Sequence, residues 1–142
     1  EGMTATQRYR AQHTELIAFI SEIAALLQDA KLSKKAAQIR SLISSLAGKL
    51  SIHLAMEIKN LYPKLMAQSD PDIRALSTRY SDEMAAMLDD FTQFNHRWLT
   101  VALIEKDWGN FIAETTRIMN AIQARIEREN QELYTLVDDL ED

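Results

Sequence analysis

The stretch "SIHLAMEIKNLYPKL", residues 51–65, places a histidine and a glutamate on the apolar face of a helix. His53 and Glu57 are four residues apart and therefore share one helix face, which Leu50 and Leu61 continue on either side. Burying a carboxylate is costly unless it meets a counter-charge or a metal ion. The stretch therefore predicts a core-facing helix whose two polar residues share a partner from another part of the chain.

The composition favours an all-helical protein. The 142 residues are 46% hydrophobic but include only three Gly and two Pro, too few turn formers for an all-β fold. The length corresponds to one domain, which we assign to residues 3–142. Because the chain has no cysteine, disulfides and thiolate metal sites are excluded.

Charge and hydropathy limit the classes of partner. A net charge of −5 disfavours binding to a phosphate backbone. No apolar run approaches the ~20 residues of a membrane span, and no charged-then-apolar leader is visible. We therefore expect a soluble, cytoplasmic protein with no nucleic-acid or membrane partner.

The spacing of apolar residues predicts four amphipathic helices. They run over residues 4–28, 33–68, 71–95 and 107–140. Ser33 is the expected N-cap of the second helix and Asp70 that of the third, and Pro63 should kink the second helix near its end. The short connections imply an antiparallel, up-down-up-down four-helix bundle.

Two of these helices carry the same frame, H-x-x-x-E-x-x-x-L-Y at residues 53–62 and R-x-x-x-E-x-x-x-L-Y at residues 125–134. If both frames lie at one depth, Glu57 and Glu129 face each other, and His13 from the first helix can join them. Two imidazoles and two carboxylates suit Fe, Mn or Zn, whereas Mg and Ca prefer oxygen ligands alone. A regular helical period predicts the buried stripe of the last helix as Phe111, Ile118, Ile122, Arg125, Glu129, Leu133, Leu136 and Leu140.

Three segments resemble one known family. "QHTEL" around His13, "HLAMEIKNLYPKL" and "RIERENQELYTLV" are similar to hemerythrin-like proteins, also called HHE cation-binding domains. The resemblance spans almost the whole chain and implies a four-helix bundle with a non-haem di-iron centre. It implies metal ligands at four positions: His13, His53, Glu57 and Glu129.

The chain departs from the family pattern at three positions. Tyr80 and Met84 stand where the third helix of the family carries two histidines, and Arg125 stands at the histidine position of the fourth helix. The resemblance assigns the four retained residues to one iron and the three missing histidines to the other. It therefore implies half of a di-iron site, with one iron ion as the cofactor.

Arg125 leaves two interpretations open. A guanidinium is always charged and can bind carboxylates through two parallel hydrogen bonds. It could replace the second metal by neutralising Glu57 and Glu129 beside one bound ion. Alternatively, it satisfies both acids alone, the site holds no metal, and the histidines bond to Tyr80 or to water.

Three neighbouring residues have secondary roles in these interpretations. We expect Tyr80 to be a hydrogen-bond donor rather than a phenolate ligand, because its ordinary pKa near ~10 would have to fall for ligation. Met84 is expected to pack in the core. Glu83 lies next to the apolar stripe of the third helix. We expect its side chain to be solvated, and the alternative is that the side chain turns inward toward the site.

These patterns support competing functions. The first is a non-haem iron-binding domain with a sensing, iron-handling or redox-response role, at which O2 or NO could bind; loss of one iron's ligands argues against reversible O2 carriage. The second is a metal-free bundle that binds a protein partner. The third is a true di-iron site that uses Tyr80 and Glu83 as substitute ligands. No substrate signature is visible, so we do not assign an enzymatic activity, and the oligomeric state stays open.

Overall fold

The computed structural model describes residues 4–29 and 34–141, and the regular structure in these ranges is entirely helical. The helices are α1 Ala5–Leu27, α2 Ala36–Met56, α3 Tyr62–Met66, α4 Pro71–Arg97, α5 Val101–Lys106, α6 Trp108–Arg128 and α7 Tyr134–Glu141. Two π-helical turns, Glu57–Leu61 and Glu129–Leu133, join α2 to α3 and α6 to α7. The predicted all-α class is confirmed, whereas the up-down-up-down order stays a prediction. Among the described helices, none has the length and apolar character needed to cross a membrane.

Polar side chains fix the starts of α1 and α4. Thr4 Oγ1 accepts from the backbone N–H of Gln7 at 3.2 Å, and the Gln7 side chain accepts from the backbone N–H of Thr4 at 2.9 Å. Asp70 caps α4, as predicted, by accepting from the backbone N–H of Asp72 at 2.9 Å. The predicted cap at Ser33 lies outside the described residues.

A short helix, α5, occupies the connection for which the sequence predicts only a turn. Thr100 caps it, because its Oγ1 accepts from the backbone N–H of Leu103 at 3.2 Å. Ile104 of α5 is fully buried, and α5 contacts α2. A good cap and one buried apolar side chain therefore stabilise a helix too short to persist alone.

The long helices share one core that also contains ionisable residues. Helix α1 contacts α2 and α6, and α4 contacts α3 and α6. Within residues 4–29 and 34–141, the buried apolar side chains form a single cluster. Ionisable residues exposed by 6% or less lie among them: His13, His53, Glu57, Arg125 and Glu129. These groups are in a low-dielectric interior, where a charge without a partner is costly.

The two π turns begin at equivalent residues of the repeated frame, Glu57 and Glu129. In each turn the backbone N–H of the residue five positions later, Tyr62 or Tyr134, donates to the carbonyl of the glutamate. Such turns occur frequently at functional sites. The sequence predicts that Pro63 kinks the second helix. The last helix forms the same π turn without a proline, so the turn does not require proline.

The second π turn changes which side of the last helix is buried. Leu136 is half-buried and Leu140 is 36% exposed, whereas Tyr134 and Val137 are buried. An α-helix advances by about 100° per residue, so one extra residue in the turn rotates every later side chain by that angle. The predicted stripe is therefore wrong beyond Leu133, because it assumes an unbroken α-helical period.

Candidate metal centre

Two histidine rings meet in the core between α1 and α2. The ring centres of His13 and His53 are 4.5 Å apart, and their Nε2 atoms are 3.0 Å apart. On the far side, His13 Nδ1 donates to the side-chain oxygen of Asn130 at 2.8 Å. His53 Nδ1 donates to the side-chain oxygen of Gln12 at 2.7 Å.

These outer hydrogen bonds fix the chemical form of both rings. An amide oxygen only accepts, so each Nδ1 carries a proton, and a neutral ring then has its lone pair on Nε2. Two Nε2 lone pairs that face each other at 3.0 Å repel, so the pair of rings needs a proton or a cation nearby. Such support at the far nitrogen is usual for metal-binding histidines. The sequence does not predict either amide, although Gln12 precedes His13 directly and Asn130 follows Glu129 directly.

Glu129, at the start of the second π turn, completes a cluster of three ligand residues. Its Oε1 lies 3.0 Å from His13 Nε2 and 3.6 Å from His53 Nε2. Ligand atoms held about 2.0–2.2 Å from one ion are about 2.8–3.6 Å apart at right angles to tetrahedral angles. The three edges of this triangle, 3.0, 3.0 and 3.6 Å, lie within that range. His13, His53 and Glu129 could therefore hold one metal ion.

Glu57, the fourth predicted ligand, lies beside this triangle. Its Oε1 is 3.3 Å from His53 Nε2, and its Oε2 accepts from the hydroxyl of Tyr134 at 2.8 Å. The ligand atoms of His13, His53 and Glu129 all lie within 4.8 Å of one another, and in the described part of the chain this group does not include Glu57. The structure thus brings three of the four predicted residues to one point and leaves Glu57 next to one of them.

Tyr134, which the sequence does not predict as a site residue, lies inside the cluster. Its hydroxyl oxygen is 3.1 Å from His13 Nε2 and 3.3 Å from His53 Nε2, and its ring stacks on the His13 ring at 5.1 Å. Position 134 is five residues after Glu129, so an α-helix would point the two side chains in different directions. The π turn brings them to one face. The available sequence signal was the Leu-Tyr pair that ends both frames.

Arg125 contacts one predicted acid and not the other. Its Nε lies 3.4 Å from Glu129 Oε2, and its Nη2 donates to the hydroxyl of Tyr62 at 2.9 Å. Within the described ranges Arg125 forms no ion pair with Glu57. Of the two predicted acids, the guanidinium therefore pairs with Glu129, while Glu57 accepts from the hydroxyl of Tyr134; that Arg125 neutralises both carboxylates stays a prediction.

Tyr80 supports the arginine rather than the histidines. The Arg125 guanidinium lies 4.8 Å from the centre of the Tyr80 ring, a cation–π arrangement. The Tyr80 hydroxyl donates to Glu132 at 2.6 Å. Burial and this hydrogen bond raise the pKa of Tyr80 to about 12, and the hydroxyl is directed to Glu132 rather than to the histidines. The predicted bond from Tyr80 to the histidines is not formed.

Met84 and Glu83 also lie away from the triangle. Met84 is 4% exposed and packs in the hydrophobic core. The Glu83 side chain is 39% exposed, and its Oε2 is 3.8 Å from Arg125 Nη1. Glu83 thus faces the outer side of the arginine and does not reach the histidines.

Burial and close charges shift the pKa values in different directions. Burial alone lowers the pKa of His53, but hydrogen bonds and charges from Glu129 and Glu57 outweigh it and raise the pKa to about 9. Burial raises the pKa of Glu57. For Glu129, burial is outweighed by hydrogen bonds from His13 and His53 and by the charge of Arg125, which hold its pKa well below the ordinary value. Without a metal, His53 is therefore protonated and Glu129 ionised near neutral pH.

The cluster contains carboxylate oxygens for which the protein supplies no hydrogen bond. Among the described residues, Glu57 Oε1 and Glu129 Oε2 are buried and have no hydrogen-bond partner. A buried polar atom left unpaired costs about 1–3 kcal/mol, and more when it is charged. A cation at the triangle would lie close to both acids. The donor set of imidazole nitrogens and carboxylate oxygens fits a transition-metal ion better than Mg or Ca.

Comparison with known proteins identifies the family to which the chain belongs. A family model described as the hemerythrin HHE cation binding domain matches residues 4–137. The chain therefore belongs to the hemerythrin HHE cation-binding domain family, and the resemblance inferred from its motifs is confirmed. No curated protein and no solved structure matches the chain significantly.

Proposed function

We propose that this protein binds one non-haem metal ion, preferentially iron, through His13, His53 and Glu129, with Glu57 adjoining the ion. The observation that carries the proposal is the triangle of Nε2, Nε2 and Oε1 atoms with edges of 3.0, 3.0 and 3.6 Å. Two histidines and one carboxylate on one face of an ion leave other positions open, as in non-haem Fe(II) proteins. Those positions suit small ligands such as O2 or NO.

We propose a sensing, iron-handling or redox-response role rather than O2 carriage. Storing O2 reversibly as peroxide takes two electrons, one from each of two irons. The three positions at which the family supplies the second iron's histidines hold Tyr80, Met84 and Arg125. Arg125 instead supplies a fixed positive charge beside Glu129. One ion therefore matches the residues present better than two.

Two alternatives have weaker support. In a metal-free, partner-binding bundle, Arg125 would neutralise both acids, but among the described residues it forms no ion pair with Glu57, whose ion pair is with His53. In a two-metal site, Tyr80 and Glu83 would be ligands, but the Tyr80 hydroxyl is directed to another carboxylate and Glu83 is partly exposed.

Anaerobic titration with Fe(II), followed by elemental analysis of the desalted protein, tests the proposal. We expect one iron per chain in the wild type and in His96→Ala, whose histidine is exposed, and almost none in His13→Ala. Circular dichroism verifies that each variant is helical. Absence of stoichiometric iron in the wild type, or equal iron in His13→Ala, would contradict the proposal.

A further inference from the structure

The hydroxyl of Tyr134 lies where a metal ligand would lie. Its oxygen is 3.1 Å from His13 Nε2 and 3.3 Å from His53 Nε2. Both distances lie within the about 2.8–3.6 Å expected between neighbouring ligands of one ion. The oxygen therefore lies at ligand spacing from both histidines of the triangle.

The Tyr134 ring is held in this position from several sides. It is fully buried and stacks on the ring of His13 at 5.1 Å. The ring of Tyr9 packs against it at 5.5 Å, and the Arg10 guanidinium lies 5.5 Å from its centre. Because the interior is close-packed, the ring cannot turn away without displacing these neighbours. Its oxygen would therefore stay next to any ion that the triangle binds.

We infer that Tyr134 is a further ligand, which binds as a phenolate to the ion held by His13, His53 and Glu129. The inference rests on the proposed function. Burial and the charges of Glu129 and Glu57 raise the pKa of this hydroxyl in the metal-free protein, so the O–H bond breaks only as an oxygen lone pair forms the bond to the ion. The proton passes along the 2.8 Å hydrogen bond to Glu57 Oε2, and the proton that His53 Nε2 carries in the metal-free protein leaves to solvent, so that both protons are accounted for and the oxidation state of the ion does not change. Glu57 then acts as the proton acceptor of the site.

This ligand set indicates which ion the site should prefer. A phenolate and a carboxylate are hard anionic oxygen donors, and the two imidazoles are intermediate donors. Hard anionic donors stabilise a highly charged ion. We therefore expect tighter binding of ferric than of ferrous iron. We also expect a visible charge-transfer absorption, because a phenolate can donate electron density to ferric iron.

The test uses ferric iron supplied as its nitrilotriacetate complex. The matched variants are Tyr134→Phe and Tyr62→Phe, because both tyrosines end the repeated frame but the Tyr62 hydroxyl accepts from Arg125 and not from the site. We expect the visible band in the wild type and in Tyr62→Phe and its loss in Tyr134→Phe. Ferric affinity should fall by about 10- to 100-fold in Tyr134→Phe. Resonance Raman spectra of the wild type should show enhanced tyrosine ring modes, a readout that needs no variant.

The possible failures are distinguishable. If the wild type binds iron without tyrosine-enhanced Raman modes, or if Tyr134→Phe keeps the band, the inference is overturned while the proposed metal site stands. If the wild type binds no iron, the proposed function fails and the inference fails with it.

Discussion

The side-chain amides of Asn130 and Gln12 bind the two histidines at Nδ1, the ring nitrogen that faces away from the cluster. Each amide oxygen accepts from an Nδ1 proton, which leaves the Nε2 lone pairs for the interior. Replacing Asn130 with Ala should lower metal affinity by about 10- to 100-fold, because the ring of His13 loses its fixed orientation. Gln131→Ala is the control, since Gln131 is the exposed neighbour. Competition with a chromophoric chelator measures both, and equal affinities would show that the amide has no such role.

The metal-free protein should lose stability as pH rises, because the pKa of His53 is raised to about 9 in the folded state. The stabilisation by protonated His53 is complete below its unfolded pKa near ~6.5 and is lost as pH rises through about 9. The free energy of unfolding should fall over this interval by roughly 3 kcal/mol. Urea denaturation with chelator present measures it. His96→Gln should retain the slope and His53→Gln should lack it; a flat wild-type profile would refute the charge assignment.

Arg125 should be far more important for stability than an exposed arginine. It is 6% exposed and lies 3.4 Å from Glu129, so Arg125→Ala removes a fixed charge from a buried carboxylate that then depends on the histidines alone, and should cost about 3–5 kcal/mol in metal-free protein. Arg117, 54% exposed and 2.8 Å from Asp90, is the control, for which we expect about 0–1 kcal/mol. Chemical denaturation gives both values. Similar costs would mean that the buried pair is not stabilising.

At the scale of elements, the two π turns decide how the repeated frames function. Each turn aligns a glutamate with the tyrosine five residues later, which a regular α-helix would not do. The frames share this turn but not their contacts. Tyr134 reaches the histidines, whereas Tyr62 accepts a hydrogen bond from Arg125. The same kind of π turn thus places one tyrosine beside the two histidines and the other beside Arg125.

Removing one residue from the second π turn should restore an α-helical turn and misplace the side chains of α7. Deletion of the exposed Gln131 would rotate Tyr134 and Val137 away from the core by about 100°, at a cost of about 3 kcal/mol or more. Deletion of Asp139 is the control, because this exposed residue comes after Val137, the last side chain that is buried in the described part of the chain. Thermal denaturation compares the two. Equal melting temperatures would indicate that the turn does not set the register.

The sequence predicts the site only as far as regular helices allow. His13, His53 and Glu129 can be inferred from spacings of three and four, which define one face of a helix. The position of Tyr134 and the exposure of Leu140 cannot be inferred in this way, because the apolar pattern carries no signal for the extra residue of a π turn.

The pairing of Arg125 depends on chain geometry that the motif comparison does not include. Arg125 and Glu129 are four residues apart on one helix and meet directly, while Glu57 approaches from another helix and meets the hydroxyl of Tyr134. A substitution such as Arg125 at a family histidine position therefore shows that a fixed positive charge is present, but not which carboxylate pairs with that charge.

At the scale of the whole molecule, the bundle converts three distant residues into one site. Residues 13, 53 and 129 come from three helices, and the contacts of α1 with α2 and α6 bring them to the same depth. Family membership supports a cation site where these residues meet, since the hemerythrin HHE domain is described as cation-binding. Under the proposed function, the chain retains one half of such a centre and replaces part of the other half with an arginine and a tyrosine.

The central claim is that one ion lies between His13 Nε2, His53 Nε2 and Glu129 Oε1. Anomalous X-ray diffraction at the iron absorption edge, from crystals of iron-loaded protein, tests it most directly. We predict one anomalous peak per chain, bounded by those three atoms. Two peaks per chain, a peak elsewhere or no peak in protein shown to contain iron would contradict the account.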